Sequence, residues 1–315
     1  MTTQPRPTIL VLGPTAGGKT SLSIALARRL EGGGACCCAD SMQVYKSMDI
    51  GTAKPDADEQ AAAPHHLLDL IEPDQVFTVD DWLAEARPCI EGIRDQGQWP
   101  IVVGGTNLYV QALSAGFMKG PDPDPVLRSE LESMDPTALR AELEQIDPEA
   151  AERIHPNDLR RTIRAIEVHR LSGQPLSALQ GQWAAADGLE NTLLIGLEWP
   201  VDAINRRIND RVRAMMEAGF LEEVQALHDA GQFGTQSREA LGYKQLLSHL
   251  NGEVDLAEAI EQIKIRTRRF AKQQRTWLRK FRHLWGGCWI DATENSCQTI
   301  ADKALRYIQS QADQG

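Results

Sequence analysis

Ile9-Leu10-Val11-Leu12-Gly13-Pro14-Thr15-Ala16-Gly17-Gly18-Lys19-Thr20 decides the fold of this 315-residue chain. An apolar run feeds a G-x-x-x-x-G-K-T loop, and helical periodicity resumes at once with Leu22, Ala25, Leu26 and Leu30. A buried strand over 8–12, a glycine-rich turn and a helix over 18–30 are expected in that order. Glycines let the backbone curl until successive N–H groups face inward, the helix adds the positive end of its dipole, and Lys19 adds a point charge. Gly13, Pro14, Thr15, Ala16, Gly17, Gly18, Lys19 and Thr20 are therefore candidate ligands of a phosphate or diphosphate. The Thr20 hydroxyl can additionally meet a magnesium ion. The motif holds a phosphate without saying whose.

Outward from this stretch the first 115 or so residues alternate strand and helix signals. Gly32-Gly33-Gly34 ends the first helix, and Ala35–Ala39 reads as a short buried strand ending at Asp40-Ser41. A further short strand is expected near His65–Leu70, an amphipathic helix over 79–93 interrupted at Pro88, a buried strand at Trp99–Val103 and a helix from Asn107. Continuous apolar strands separated by helices predict an α/β fold, a P-loop NTPase-like parallel sheet flanked by helices. Gly120-Pro121-Asp122-Pro123-Asp124-Pro125 marks a boundary. Beyond it, 126–182 reads as helices only, with breaks at Asp135-Pro136, Asp147-Pro148, His155-Pro156 and Ser172-Gly173. This predicts an all-helical insertion at 121–189 within a core made of 1–120 and 190–315. Leu193–Leu197 is expected to be the last core strand, followed by helices near 202–218, 220–230, 255–283 and 296–310.

Hydrophobic residues at 42% and charged residues at 24% are those of a soluble globular protein. No leader-like segment precedes the first strand and no apolar run is long enough for a bilayer, so a cytoplasmic protein is expected. Of six cysteines, Cys36, Cys37 and Cys38 are consecutive and read as small buried hydrophobes, and no cysteine–histidine set suits zinc, His65-His66 included. The net charge is −11, yet the stretch 264–283, KIRTRRFAKQQRTWLRKFRH, holds nine Lys or Arg residues and no acid, with Phe270, Trp277 and Phe281 interleaved. Arg160, Arg161 and Arg164 form a second cluster, and Arg206, Arg207, Arg211 and Arg213 a third. Each is either part of a polyanion-binding face or a solvated helix face.

In a doubly wound sheet ligands sit beyond the carboxyl ends of the strands. That rule brings Gly13–Thr20, Asp40-Ser41 and Gly104-Gly105-Thr106 together. Asp40 at its strand end suits a magnesium ligand, a general base or a helix N-cap. Gly104 and Gly105 would let backbone approach a ligand while Thr106 aims a hydroxyl at it; alternatively Thr106 caps the next helix. Asp49–Pro55 reads as a mobile loop over the site, with Lys54 solvated. Tyr243 and Lys244, at a helix break after Gly242, suit either a polyanion contact or, for Tyr243, the core.

GPTAGGKT at 13–20, ADSMQVYKSMDIGTAKP at 39–55, APHHLLD at 63–69, VVGGTNLY at 102–109, RIHPNDLRRTIRAIEV at 153–168, ALGYKQ at 240–245 and RTRRFAKQQRTWLR at 266–279 together resemble the tRNA dimethylallyltransferase family, bacterial type, over about 8–285. The resemblance implies transfer of a dimethylallyl group from dimethylallyl diphosphate to N6 of adenosine 37 in tRNA. Magnesium is the implied cofactor, Asp40 the implied base, and Thr106 lies near the reacting centre. It implies contacts to the anticodon stem-loop from Asp40, Ser41, Met42, Gln43, Thr106 and Arg128. Arg160, Arg161, Thr162, Ile163 and Arg164 join them, as do Glu239, Ala240, Leu241, Gly242, Tyr243 and Lys244. No membrane partner is implied, and a monomer is the expectation. On the residues alone three alternatives stay open: a P-loop kinase acting on a small metabolite, a prenyltransferase acting on free AMP or ATP, and a non-enzymatic RNA-binding protein with a relict phosphate loop.

Overall fold

The computed structural model describes residues 5–116, 120–181, 191–293 and 295–312. By contact density the chain divides into two compact units, residues 1–110 with 189–315 and residues 111–188. The segment through which the chain was expected to return to the core near 190 lies outside the described residues, as does Gln182.

The first unit is built on a six-stranded sheet in the order β3-β2-β4-β1-β5-β6, every pairing parallel. The strands are β1 Thr8–Leu12, β2 Gly34–Cys38, β3 His65–His66, β4 Trp99–Val103, β5 Thr192–Glu198 and β6 Cys288–Asp291. β1 and β2 are buried along their whole length, which is why their sequences run apolar without alternation. Helices α1 (Lys19–Arg29) and α14 (Cys297–Ala312) share one apolar cluster with the sheet, in which Leu22, Leu26, Ile9, Ile195, Ala304 and Ile308 meet. α2 spans Ala57–Ala62 and opens with a reciprocal Asp56/Glu59 capping box. α3 (Val79–Asp95) runs unbroken through Pro88, and its Trp82 is fully buried with its indole N–H donating to Cys38 O. The expected interruption at Pro88 does not occur. α4 is Asn107–Ala115.

β5 is not the last strand. β6 adds to its outer edge in parallel, with Ile195 opposite Cys288 and Glu198 opposite Asp291. Gly287 before β6 has φ +88, and a Cβ there would fall 2.7 Å from Leu194 O, so the tight approach needs a residue without one.

After β5 come α10 (Val201–Glu217), α11 (Phe220–Asp229), a 3-10 turn Ser237–Glu239, α12 (Tyr243–Leu250) and the 30-residue α13 (Leu256–Trp285). Tyr243 thus opens a helix that the sequence reading left as a break. Val44, Tyr45, Met48, Phe220, Tyr243 and Ile263 form a second core under these helices.

The second unit holds α5 (Pro125–Ser133), α6 (Pro136–Ile146), α7 (Pro148–Arg153), α8 (Leu159–Ser172) and α9 (Leu176–Gly181). Asp124, Asp135 and Asp147 each cap a helix whose first residue is proline. The Asp-Pro pairs are therefore helix starts, since proline at the first position loses an N–H that would have had no partner. Leu131, Leu139, Leu143, Ile163 and Ile166 make this unit's own core.

Candidate active site

The order β2-β4-β1 sets three strand ends side by side, and the loops after them interlock through backbone. Ala39 N–H donates to Val103 O and Thr106 N–H to Ala39 O. A Cβ at Gly104 would fall 2.1 Å from Ala39 O, so only glycine fits there. The Thr106 hydroxyl accepts from Ser41 N–H at 2.9 Å and lies 3.2 Å from Ser41 Oγ. Its side chain therefore clamps the Asp40 loop, while its carbonyl accepts the first backbone bonds of α4 from Tyr109 and Val110. Asp40 is followed by a turn, not a helix. Its Oδ1 accepts the Met42 N–H at 3.0 Å, and Oδ2 lies near Gly105.

These loops floor a cavity of about 980 Å³. Its lining includes the phosphate loop from Thr15 to Thr20, Asp40, Gln43, the 49–57 segment, Gly104 and Gly105, then Arg207, Arg211 and Met215 of α10, and Phe270 and Gln274 of α13. Within the phosphate loop Gly18 takes φ +87, with open space where a Cβ would stand. Lys19 Nζ donates to Gly13 O and Pro14 O at 3.1 and 3.0 Å. Burial, followed by the nearby Arg211 guanidinium, pushes the Lys19 pKa down to about 8 against the opposing pull of Asp40. Burial also lowers that of Arg211, while Asp40 raises it. Two cations that repel one another beside a curled row of N–H groups are electrostatically suited to an anion of high charge.

Gln274, which sequence reasoning did not single out, and Arg211, which it named only within the third basic cluster, complete the floor. Gln274, only 2% exposed, accepts the Thr15 N–H at 2.8 Å and donates to Gly105 O at 3.0 Å, so one amide ties the phosphate loop to the β4 loop. Its signal was a polar residue on the buried face of an amphipathic helix, in phase with Ile263, Ala271 and Leu278. Arg211 carries the same signal on α10, in phase with Ile204 and Ile208; its guanidinium reaches Thr15 Oγ1 at 3.4 Å. Arg207, stacked over Trp199, donates to Ala16 O at 2.8 Å. Part of the third basic cluster thus belongs to the cavity.

The 49–55 segment is anchored, and Lys54 is not solvated. The Lys54 side chain is 3% exposed and pairs with Asp49 and Asp69, both at 2.5 Å, while donating to Tyr45 O. Its charge thereby ties the segment's own Asp49 to Asp69, which lies outside it. One Glu223 carboxylate accepts the N–H groups of Asp49, Ile50 and Gly51, and the Gln43 amide donates to Thr52 O and Ala53 O.

Tyr243 is core: it is fully buried, its hydroxyl donates to Glu223 Oε1, and burial beside that carboxylate raises its pKa well above the usual phenol value. Ala240 and Gly242 are buried with it and Leu241 half-buried, leaving Glu239 and Lys244 as the exposed pair of that run. Within the second unit Thr162 and Ile163 face inward, whereas Arg160 and Arg161 are exposed. Arg128 and Arg164 converge on Oε2 of the fully buried Glu167, each at 2.7 Å. Among the described residues no cluster of three or more metal-ligating side chains occurs, and no helix is long and apolar enough to cross a membrane.

A model of the IPP transferase family matches residues 43–281. A tRNA dimethylallyltransferase of Syntrophobacter fumaroxidans is 46% identical over 87% of this chain and 81% of that protein. One of Geobacillus thermodenitrificans is 43% identical over 95% of each. Among solved structures, the tRNA isopentenylpyrophosphate transferase of Bacillus halodurans superposes with a TM-score of 0.71 at 39% identity, covering 98% of this chain and 99% of that one. A eukaryotic dimethylallyltransferase acting on tRNA gives 0.78 at 30% identity, over 92% and 74%. With its phosphate loop, strand-end carboxylate and helical insertion, the chain belongs to the tRNA dimethylallyltransferase family.

Proposed function

We propose that this chain transfers the dimethylallyl group of dimethylallyl diphosphate to the exocyclic N6 of adenosine 37 in tRNA, acting as a cytoplasmic monomer. The observation that carries the reading is the meeting, in one cavity, of a phosphate loop, two repelling cations and a strand-end carboxylate. The adenine amine is a weak nucleophile because its lone pair is delocalised into the ring. As N6 attacks the allylic carbon, the carbon–oxygen bond breaks, the electron pair leaves with the diphosphate, and the N6 proton passes to Asp40. The outward Oδ2 of Asp40 suits that role, since Oδ1 is occupied by Met42 N–H. General-base help of this kind is worth roughly 10²–10⁴-fold.

Gly13–Thr20, Lys19 above all, hold the departing diphosphate, with Arg211 reinforcing it; charge developing there is stabilised by fixed donors. Magnesium suits the oxygen donors present, because that ion takes one or two protein oxygens and otherwise water and phosphate. The Thr20 hydroxyl would hold it, and it would supply neutralisation of the leaving group. Thr106 and Ser41 to Gln43 shape the entry of the extruded base. Arg128, Arg160, Arg161 and Arg164, with the exposed Glu239 and Lys244, are assigned to the anticodon stem-loop. Phosphate contacts of the arginines make binding salt-sensitive.

The test is incorporation of labelled dimethylallyl diphosphate with magnesium into unmodified tRNA, AMP and ATP offered in parallel. Label on tRNA alone, lost when adenosine 37 is replaced, is the expected result. Label on AMP or ATP overturns the tRNA assignment, and phosphoryl transfer without prenyl transfer overturns the reaction.

A further inference from the structure

Gly105 gauges the distance between the floor of the cavity and its α13 wall. A Cβ placed there would stand 3.4 Å from Asp40 Oδ2 and 2.8 Å from Gln274 Nε2, so the outward carboxylate oxygen and the Gln274 amide converge on one point. Phe270 precedes Gln274 by four residues, which puts it on the same side of α13, one turn of about 5.4 Å along the axis. Both residues line the cavity.

Phe270 is also 39% exposed, the one exposed phenylalanine among the described residues. Elsewhere on the same helix Phe281 is fully buried and stacks on Trp285 with ring centroids 4.4 Å apart. Four residues before Phe270, on the same side of α13, stands the exposed Arg266, while Arg269 and Lys272 are exposed on other faces of the helix. An open aromatic face with a cation one turn away is a composition by which proteins hold unpaired nucleic-acid bases, through stacking and attraction of the backbone.

We infer that Phe270 is the stacking wall for the ring of the extruded adenosine, holding its plane while N6 points at Asp40. This subsite rests on the tRNA reading above. The ring lies one helical turn from Gln274, whose amide meets the Gly105 backbone beside Asp40, so a purine stacked on it can turn its exocyclic amine toward the floor. The wall makes no demand on the edge of the base. It therefore sets the plane of attack and leaves hydrogen-bond reading of the base to other groups.

The test uses full-length protein, dimethylallyl diphosphate and an anticodon stem-loop RNA carrying adenosine 37, comparing Phe270→Tyr, Phe270→Leu and Phe270→Ala. Steady-state constants are taken for each substrate separately. Tyr is expected near wild type, Leu intermediate, and Ala about ten-fold or more lower in kcat/KM for RNA, with the KM for dimethylallyl diphosphate unchanged. Because the ring is partly exposed, all three variants are expected to keep the wild-type Tm. Ala within two-fold of wild type overturns the inference. Full rescue by Leu overturns stacking, and an equal rise in the diphosphate KM assigns the ring to the prenyl chain instead. Wild-type protein that labels no RNA overturns the proposed reaction itself, an outcome separable from any difference among the variants.

Discussion

The floor of the cavity and helix α8 of the insertion are both rich in polar side chains, yet they spend them in opposite ways. On the floor, Thr106, Gln43, Gln274 and Lys54 use their hydrogen bonds on the protein's own backbone and acids, and little rotamer freedom is left. On α8, Arg161 is 75% exposed and pairs with Asp158 at i,i+3, and Arg160 is exposed beside it. A fixed floor suits a step in which reacting atoms must be placed to fractions of an ångström. Loose surface cations suit attraction to a polyanion, which needs charge and tolerates imprecise placement. The comparison predicts sharp, substrate-specific defects on the floor and graded, salt-dependent ones on the arm.

The sharpest break is Asp40→Asn. It keeps the shape and the acceptor for Met42 N–H but removes the base, so turnover is expected to fall roughly 10²–10⁴-fold with tRNA affinity within a few-fold. Rapid-quench measurement of a single turnover, alongside a filter-binding titration, separates the two. Loss of binding in step with turnover would make Asp40 a tRNA contact and remove it from the chemistry.

Next in size is Gln274→Met, nearly isosteric and unable to make either bond. Gly105 O is then left without its partner in a buried place and Thr15 N–H in a half-buried one, a loss of about 1–3 kcal/mol. If that tie positions the phosphate loop, the KM for dimethylallyl diphosphate should rise about ten-fold while RNA affinity holds. A drop in Tm with unchanged kinetic constants would make the amide a purely structural strut.

The arm gives the smaller, graded effect. Arg160→Gln with Arg161→Gln should weaken tRNA binding several-fold at low salt and reduce the slope of log K against log salt by about one to two. Arg164→Gln belongs to a different class. It leaves the buried Glu167 with Arg128 as its remaining charge partner, so lower stability is expected as well as weaker binding. An unchanged slope in the double variant would remove α8 from the RNA face.

Local patterns in the sequence announced the phosphate loop, the strand ends at Asp40 and Gly104, and the helical insertion, because each depends on residues a few positions apart. The residues it missed act across long separations. Gln274 meets Thr15 at a distance of 259 residues, and Glu223 meets Ile50 across 173. Lys54 looked solvated because its partners Tyr45 and Asp69 are contacts that no spacing announces. β6 escaped because four residues behind two glycines give too short an apolar signal, and Pro88 misled because the rule against proline in helices is a cost that packing around Trp82 outweighs. Tyr243 was legible only as ambiguous, and its burial with Phe220 resolves it toward the core.

The last prediction concerns protons and sharpens the comparison by isolating the floor's field. Lys19 sits at about 8, lowered from 10.5 by burial and then by Arg211. Between those two values the folded chain releases this proton before the unfolded one does, so the lysine's contribution to stability rises with pH there, and its penalty is complete below about 8. An anionic diphosphate seated against the loop reverses the sign of its surroundings and draws the pKa back upward. Binding of dimethylallyl diphosphate, a monoester with no titrating proton of its own at pH 8.5, should therefore take up a fraction of a proton, and Lys19→Met should abolish that fraction. Calorimetric titration in two buffers of different ionisation enthalpy measures it directly. Equal apparent enthalpies in both buffers would show that Lys19 is already fully charged before the anion arrives, and the repulsion from Arg211 would then be screened within the free protein.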